Sequence, residues 1–241
     1  DRITVKRQRR EFVTHVGWIG SRQLTMISSG MGTDNVEILL TELDALVNVN
    51  LKTRTPKKRK KSLKIIRIGT SGSLQKDVPV DSHLASVYAV GLDNLMHFYR
   101  LKMTPFEKRI SDGIKETTRM PFTPYVAKGS DALMDKMGTG MIAGNTVTAP
   151  GFYGPQGRTV RLMPKYSSML QSLASYKEKG TQFRLTNFEM ETAGYYALCQ
   201  MLGHEALSVN AIIANRLDKK FSGNPAKVVD QLIKKVLQKY I

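Results

Sequence analysis

Apolar residues recur along this chain with two periods, which predict alternating strands and helices. Apolar runs of strand length predict five strands, at residues 24–29, 63–68, 80–90, 140–149 and 207–214. Spacing of i, i+3, i+4 and i+7 predicts three helices, at residues 36–47, 187–202 and 229–237. This alternation indicates an α/β fold. We expect residues 1–241 to form a single domain with a central twisted mixed sheet flanked by helices.

A glycine turn, Gly30-Met31-Gly32, separates the first predicted strand from the first predicted helix. Backbone N–H groups at such a helix start are expected to face an anion. Asn35 replaces the third glycine of the dinucleotide-binding pattern G-x-G-x-x-G, which argues against a dinucleotide cofactor.

A second glycine turn, Gly69-Thr70-Ser71-Gly72, is predicted to end the strand that carries Arg67. Burying this arginine between Ile66 and Ile68 is costly unless it has a partner. A phosphate fits, because the guanidinium matches two phosphate oxygens and the Thr70 hydroxyl can add a third hydrogen bond. A carboxylate at the sheet edge is the alternative, and spacing alone leaves both open.

Two carboxylates, Glu189 and Glu191, lie in the predicted helix 187–202. At i and i+2 they would stand about 200° apart around the helix axis, so we expect at most one to face a site. That carboxylate can accept hydrogen bonds from sugar hydroxyls. An acidic helix start that suits the helix dipole is the alternative.

The loop 149–158 is rich in Gly and Pro and carries two polar side chains, Gln156 and Arg158. The Gln amide offers donors and an acceptor, and the Arg offers several donors, which together complement a planar imide such as uracil. Phe152 is suited to cover a ring face. A simple surface turn is the alternative.

Four segments in this order resemble the nucleoside phosphorylase family, in particular its uridine-directed members: Ser29–Gly32, Ile66–Gly72, Phe152–Arg158 and Asn187–Thr192. The resemblance extends over nearly the whole chain. It implies a phosphorylase/hydrolase-like fold and the reversible phosphorolysis of uridine to uracil and ribose 1-phosphate. A purine nucleoside phosphorylase or a nucleosidase on the same scaffold is the alternative.

Residues implied by this resemblance fall into three groups. The phosphate would be bound by Arg67, Thr70 and, from a neighbouring subunit, Arg10. The ribose would be bound by Thr70, Met190 and Glu191. The base would be bound by Ser71, Gly72, Phe152, Gln156 and Arg158. The catalytic residues would be Arg67, Arg158 and Glu191.

Two further positions bear on specificity and metal binding. Purine-directed relatives commonly carry an Asp after the last core strand, whereas this chain has Asn215-Arg216, which favours a pyrimidine. Some members bind potassium through an acid that matches Glu11 and a serine of a Gly-Pro-Ser turn. This chain has Thr33-Asp34-Asn35 at that turn and so lacks the serine, and we expect no bound metal. If potassium did bind, Glu11 would be the candidate ligand.

The resemblance also implies partners and assembly. We expect a nucleoside and inorganic phosphate as substrates, no other cofactor, and a homodimer as the minimal unit, with a hexamer of three dimers as the alternative. The family's first strand and its Gly-Asp-Pro-x-Arg phosphate loop would precede Asp1. We therefore expect this chain to lack part of the phosphate site.

Composition and charge add a further expectation. With 41% hydrophobic and 24% charged residues the chain is typical of a globular protein, and its formal net charge is +17. Two basic clusters, at residues 6–10 and 52–61, contain few aromatics for stacking on single-stranded bases. Nucleic acid is therefore not an expected partner, and a basic RNA-binding protein is the remote alternative. We interpret the second cluster as an exposed loop.

Localisation follows from what the sequence lacks. The chain has no apolar run long enough to span a membrane and no signal-peptide apolar region at its start. A single cysteine, Cys199, cannot form an internal disulfide. We expect a cytoplasmic protein without membrane contact.

Overall fold

Strands and helices alternate along the computed structural model, which describes residues 2–240. The helices are α1 (Thr33–Asn48), α2 (Pro105–Thr118), α3 (Asp131–Met137), α4 (Met169–Ser175), α5 (Thr192–Leu202) and α6 (Pro225–Tyr240). The strands are β1 (Arg2–Arg9), β2 (Phe12–Ile19), β3 (Arg22–Ile27), β4 (Val49–Asn50), β5 (Thr55–Pro56), β6 (Lys64–Ser73), β7 (His83–Gly91), β8 (Tyr125–Lys128), β9 (Ile142–Thr148), β10 (Asn187–Glu189), β11 (Glu205–Asn215) and β12 (Lys220–Phe221).

The central sheet has seven strands in the order β12-β11-β6-β10-β9-β7-β8. Strand β11 runs parallel to β6 and also pairs with β7 in antiparallel orientation, which closes five of the strands into a ring. Parallel and antiparallel pairs both occur, so the sheet is mixed. The expected central mixed sheet with flanking helices is confirmed.

Helices cover the sheet because their apolar sides pack on it. Val36 and Leu40 of α1 pack with Ala193 and Ala197 of α5 in one fully buried cluster. Leu232 of α6 belongs to a second cluster with β11, and α2 and α4 contribute to a third. Within the described residues no helix is both long and apolar enough to cross a membrane.

A separate three-stranded antiparallel sheet, β1-β2-β3, contains the first 26 described residues. Only its third strand follows from the apolar pattern. All of β1 is exposed, so burial leaves no alternating pattern in its sequence. Arg10 and Glu11 form the exposed turn that joins β1 to β2.

The predicted turn Gly69–Gly72 is wrong, because β6 continues through it to Ser73. Strand β11 pairs with β6 as far as Ser73, and β10 pairs with Gly72 and Ser73 from the other side. Hydrogen bonds from two neighbours therefore hold this glycine-containing stretch extended. Arg67 lies in the interior of the strand rather than near its end.

The predicted helix Asn187–Leu202 is also wrong over its first turn. Residues Asn187–Glu189 form β10, which pairs with β9 in parallel and with β6 in antiparallel orientation. The helix α5 begins only at Thr192. Strand pairing on both sides overrides the apolar spacing that favours a helix.

Candidate active site

Arg67 and two carboxylates form a buried charge cluster at the centre of the sheet. The Arg67 Nη2 atom lies 2.5 Å from Glu191 Oε2 and 3.0 Å from Glu189 Oε2. The side chains of Arg67 and Glu191 are each 9% exposed, and that of Glu189 is 1% exposed. The expectation that at most one carboxylate faces a site is therefore wrong. A strand and a turn carry the two residues, so the helical separation does not apply.

Different groups hold the two carboxylates. Glu189 accepts hydrogen bonds from the backbone N–H groups of Glu191 at 2.9 Å and Thr192 at 2.9 and 3.0 Å, and from the Thr148 hydroxyl at 2.5 Å. Glu191 accepts one from the Gly32 N–H at 2.7 Å, at the N-terminus of α1. The anion at this predicted helix start is thus a carboxylate of the chain itself.

The second terminal nitrogen of Arg67 bonds to β11, the parallel neighbour of β6. Nη1 donates to Ser208 Oγ at 3.2 Å and to Asn210 Oδ1 at 3.0 Å. A Cβ atom added at Gly69 would lie 2.5 Å from Nη1, so glycine there leaves room for the guanidinium. Of the two partners that spacing left open, the carboxylate is present. The phosphate role of Arg67 stays a prediction.

Two negative charges surround one positive charge in this cluster, and its electrostatics follow from that imbalance. Burial raises the pKa of Glu191, opposed by Arg67, and the charge of Glu189 raises it further. Burial alone would lower the pKa of Arg67, but the two carboxylates together raise it. Such a cluster can accept hydrogen bonds from hydroxyl groups and stabilise a positive charge that develops nearby.

A second cluster lies in the loop that follows β9. Gln156 is buried, and its Oε1 accepts hydrogen bonds from Arg158 Nη1 at 2.7 Å and Arg216 Nη1 at 3.4 Å. Arg216 Nη2 also donates to the Gln156 backbone carbonyl at 2.7 Å. The Arg158 guanidinium carbon lies 3.8 Å from the ring centroid of Phe152, which is 51% exposed. These contacts bring together three residues of the predicted base site.

Positive charge is concentrated at this second cluster. Burial, and then the like charge of Arg216, lowers the pKa of Arg158 to about 10. Burial also lowers the pKa of Arg216. Because a pKa of about 10 keeps Arg158 protonated at neutral pH, two guanidinium groups face one small region. The arrangement suits an anion or a planar group with carbonyl oxygens.

Arg216 is one of two residues that sequence reasoning did not assign to the candidate site. The pair Asn215-Arg216 stands out in the sequence only as a marker of base preference. In the structure a Cβ at Gly72 would lie 3.1 Å from Arg216 Cδ, so glycine in β6 admits this arginine. Sequence reasoning also missed Glu189, because its predicted helical position turned it away from Glu191.

The remaining predicted residues have simpler environments. Thr70 is exposed, Met190 is half-buried, and the buried Ser71 hydroxyl accepts a hydrogen bond from Asn187 Nδ2 at 3.0 Å. The Arg10 side chain makes no hydrogen bond or ion pair with any residue of the 2–240 range. Their assigned roles, and the potassium role of Glu11, stay predictions.

Comparison with known proteins identifies the family. Residues 1–241 match the model of the phosphorylase superfamily, and the chain belongs to that superfamily. It is 26% identical over 211 residues to uridine phosphorylase of Haemophilus influenzae, covering 88% of this chain and 71% of that enzyme. A solved Trypanosoma brucei nucleoside phosphorylase that shows uridine phosphorylase activity is 28% identical, with a TM-score of 0.89, over 99% of this chain and 86% of that one.

Purine enzymes are found among the relatives as well. A DeoD-type purine nucleoside phosphorylase of Colwellia psychrerythraea is 24% identical over 202 residues, covering 84% of this chain and 68% of that enzyme. The resemblance to nucleoside phosphorylases, with uridine phosphorylases among the similar proteins, is confirmed. The predicted fold class is confirmed by the same structural similarity.

Proposed function

We propose that this chain catalyses the reversible phosphorolysis of uridine to uracil and ribose 1-phosphate. The observation that carries the proposal is the buried amide of Gln156 between the guanidinium groups of Arg158 and Arg216. Uracil has two carbonyl oxygens that accept hydrogen bonds and one N–H that donates. Arginine and a Gln amide match this pattern, and the Phe152 ring beside Arg158 offers a face for stacking.

The charges at the two clusters match the two halves of the reaction. A phosphate oxygen bonds to the anomeric carbon while the glycosidic bond breaks, and the bonding electron pair leaves with the uracil nitrogen. The sugar becomes cationic and the uracil anionic. Arg158 and Arg216 stabilise the leaving base, and the net negative cluster around Glu191 stabilises the sugar.

Substrate binding changes the partners of Arg67 and Glu191. Glu191 and Met190 hold the ribose, with Glu191 accepting hydrogen bonds from its hydroxyls. Arg67 and Thr70 bind the phosphate. Because Arg67 Nη2 donates to Glu191 at 2.5 Å, a phosphate that binds this nitrogen displaces the carboxylate from it. Each substrate thereby favours binding of the other.

A purine substrate finds less support in the same region. Asn215 stands where the resemblance expects the acid that protonates a departing purine. Its Oδ1 accepts hydrogen bonds from the backbone N–H groups of Leu217 and Asp218, both at 3.0 Å, and its Nδ2 donates to the Gln75 carbonyl at 2.9 Å. An amide engaged in this way holds a turn and has no proton to give a base.

The proposal also covers the co-substrate, the oligomeric state and the cellular location. Phosphate is the co-substrate and no further cofactor is needed, since phosphate itself is the nucleophile and the base leaves with the electron pair of the broken bond. Residues 1–241 act as one domain in a cytoplasmic homodimer, with a hexamer of three dimers as the larger form. Arg10 reaches the phosphate of the neighbouring subunit, which agrees with its exposed position at the β1–β2 turn.

Incubation with uridine in the presence and absence of phosphate tests the reaction. We expect uracil and ribose 1-phosphate only when phosphate is present, and no base release from inosine under the same conditions. Uracil release without phosphate would indicate a nucleosidase. Faster turnover of inosine than of uridine would refute the base assignment.

Mixing of inactive variants tests the shared site. Arg10→Ala and Arg158→Ala subunits are each expected to have greatly reduced activity alone. Activity should rise when they exchange, because a hybrid dimer has one intact site. Native mass spectrometry verifies the exchange. Hybrid dimers without activity would show that Arg10 does not act across the interface.

A further inference from the structure

A surface segment with an unusual concentration of positive charge follows the C-terminus of α1. The N-terminus of this helix is the end that lies at the candidate active site. Residues 49–61, here named the basic hairpin, contain seven Lys or Arg and no Asp or Glu. Strands β4 and β5 form its stem. All seven basic residues are exposed: Lys52, Arg54, Lys57, Lys58, Arg59, Lys60 and Lys61. The uridine reaction proposed above assigns no role to any of them.

The basic hairpin is held firmly by one buried residue, Asn48, which is 2% exposed. The Asn48 side chain accepts from the Lys61 N–H at 2.6 Å and donates to the Lys61 carbonyl at 3.0 Å. Its backbone carbonyl accepts from the Lys57 N–H at 2.7 Å. Residues 58–60 are therefore a short loop whose backbone is held at both ends, which keeps three consecutive cationic residues close together.

Most of these charges have no partner within the chain. Lys57 donates to the Val47 carbonyl at 2.8 Å, which satisfies the C-terminal end of α1. Among the described residues, no hydrogen bond or ion pair involves the side chain of Lys52, Arg54, Lys58, Arg59 or Lys60. Neighbouring like charges repel by about 1 kcal/mol at 4 Å even in water.

Arg54 is placed at a further cost. Its φ of 56° lies in the left-handed region, where glycine and asparagine are favoured over a long side chain. Its backbone N–H bonds to the Asn50 carbonyl at 2.7 Å, which closes the hairpin turn. An arginine therefore occupies a position that the backbone alone would give to another residue.

We infer that the basic hairpin binds the phosphate backbone of a double-stranded nucleic acid without reading its sequence. This replaces the expectation from composition that nucleic acid is not a partner, because that expectation considered only stacking on single-stranded bases. Closely spaced cations without intervening carboxylates match a polymer with one negative charge per about 1.7 Å of helix axis. The hairpin contains no aromatic residue, so it offers no stacking platform for single-stranded bases. Backbone contacts need neither aromatic rings nor an apolar groove.

Other polyanions fit the basic hairpin less well. An acidic protein would need apolar or aromatic anchors at the centre of an interface, and within the hairpin the large exposed apolar side chain is that of Leu51. Stable attachment to an anionic membrane takes a second signal beside a basic patch.

Salt-dependent binding to mixed-sequence duplex DNA tests the inference. Fluorescence anisotropy gives the slope of log affinity against log salt, whose magnitude is about 0.9 for each phosphate that the protein neutralises. The variant Lys58→Gln/Arg59→Gln/Lys60→Gln is expected to reduce this slope by about 2.7, so that between 50 and 200 mM salt its affinity falls about 40-fold less than that of the parent chain. Arg54→Asn should reduce the slope by about 0.9 without lowering Tm, since asparagine tolerates this backbone conformation.

A matched control removes the same charge elsewhere. Lys102→Gln/Lys108→Gln/Lys179→Gln alters three exposed lysines outside the hairpin and should leave the slope unchanged. Uridine phosphorolysis should be equal in all variants, which separates this inference from the proposed function. Equal slopes for the hairpin and control variants would overturn it. So would binding to phosphatidylserine vesicles or to an acidic polypeptide without binding to the duplex.

Discussion

Replacement of Glu191 by Gln is expected to change stability and activity in opposite directions. Gln has the same shape but no charge, so Arg67 retains Glu189 as its counter-ion and the net charge of the buried cluster becomes zero. The Gln oxygen can accept from the Gly32 N–H, which leaves the amide nitrogen facing one donor, Arg67, whereas an amide at position 189 would disturb three hydrogen bonds as well as an ion pair. Burial raises the pKa of Glu191 in the folded protein, which means that the ionised carboxylate is held there at a cost. We therefore expect Glu191→Gln to raise Tm at neutral pH.

The same change should impair catalysis. A hydrogen bond to a charged group contributes about 1.5–3 kcal/mol, so removing the carboxylate acceptor for the ribose hydroxyls should lower kcat/KM for uridine by about 10- to 150-fold. Uracil release measures this decrease. A site that costs stability and supports catalysis is an example of the known conflict between the two.

The Tm difference between Glu191→Gln and the parent chain should also depend on pH, in a direction set by the pKa of Glu191. A carboxyl whose pKa is higher in the folded than in the unfolded chain contributes stability below its unfolded pKa and loses it as pH rises through the folded pKa. The Gln variant has no such group. Its Tm advantage over the parent chain should therefore widen as pH rises through the folded pKa of Glu191.

Glu189→Gln is the matched control, because it removes the same charge two residues away. The Glu189 carboxylate accepts two backbone N–H groups and the Thr148 hydroxyl, and an amide nitrogen would face donors in their place. For Glu189→Gln we expect the free energy of unfolding to fall by about 1–3 kcal/mol. Each kcal/mol corresponds to a decrease of about 2–4 °C in Tm. Calorimetry across pH compares the variants. A Tm for Glu191→Gln below that of the parent, or a gap that narrows with rising pH, would refute the reasoning.

Three further predictions concern single residues. Arg158→Ala should lower kcat/KM for uridine by about 10²–10³-fold, since it removes a donor to the leaving base, whereas Arg161→Ala in the same exposed loop should not; equal uracil release in the two would contradict it. Arg67→Lys keeps the charge but loses the fork, and should raise the KM for phosphate about 10- to 150-fold; an unchanged phosphate saturation curve would make Arg67 structural. Asn48→Ala should lower the free energy of unfolding by about 1–3 kcal/mol and speed hydrogen exchange of the Lys61 amide, with activity unchanged; protection equal to the parent would show that another contact holds the loop.

Residue patterns within short stretches of the chain were sufficient to predict the class of fold and the family. The strand, turn and helix around Gly30–Gly32, the loop Phe152–Arg158 and the closing helix each follow from residues close in sequence. Apolar spacing records which side of an element is buried, so long amphipathic elements can be predicted directly. The strand β1 could not, because both of its faces are exposed.

Contacts between distant segments decided the site itself. Local sequence singled out Arg67, Gln156 and Arg158, and the family resemblance added Glu191. The predicted helix placed Glu189 and Glu191 on different sides, and no binding role was assigned to Arg216. Glu189 meets Arg67 because β10 pairs with β6 across more than 100 residues of chain, and that pairing replaces a helix by a strand. Side-chain direction depends on the secondary structure, and here strand pairing determines the secondary structure. The chemistry of individual residues was therefore legible in the sequence, whereas their convergence on one guanidinium and one amide required the folded sheet.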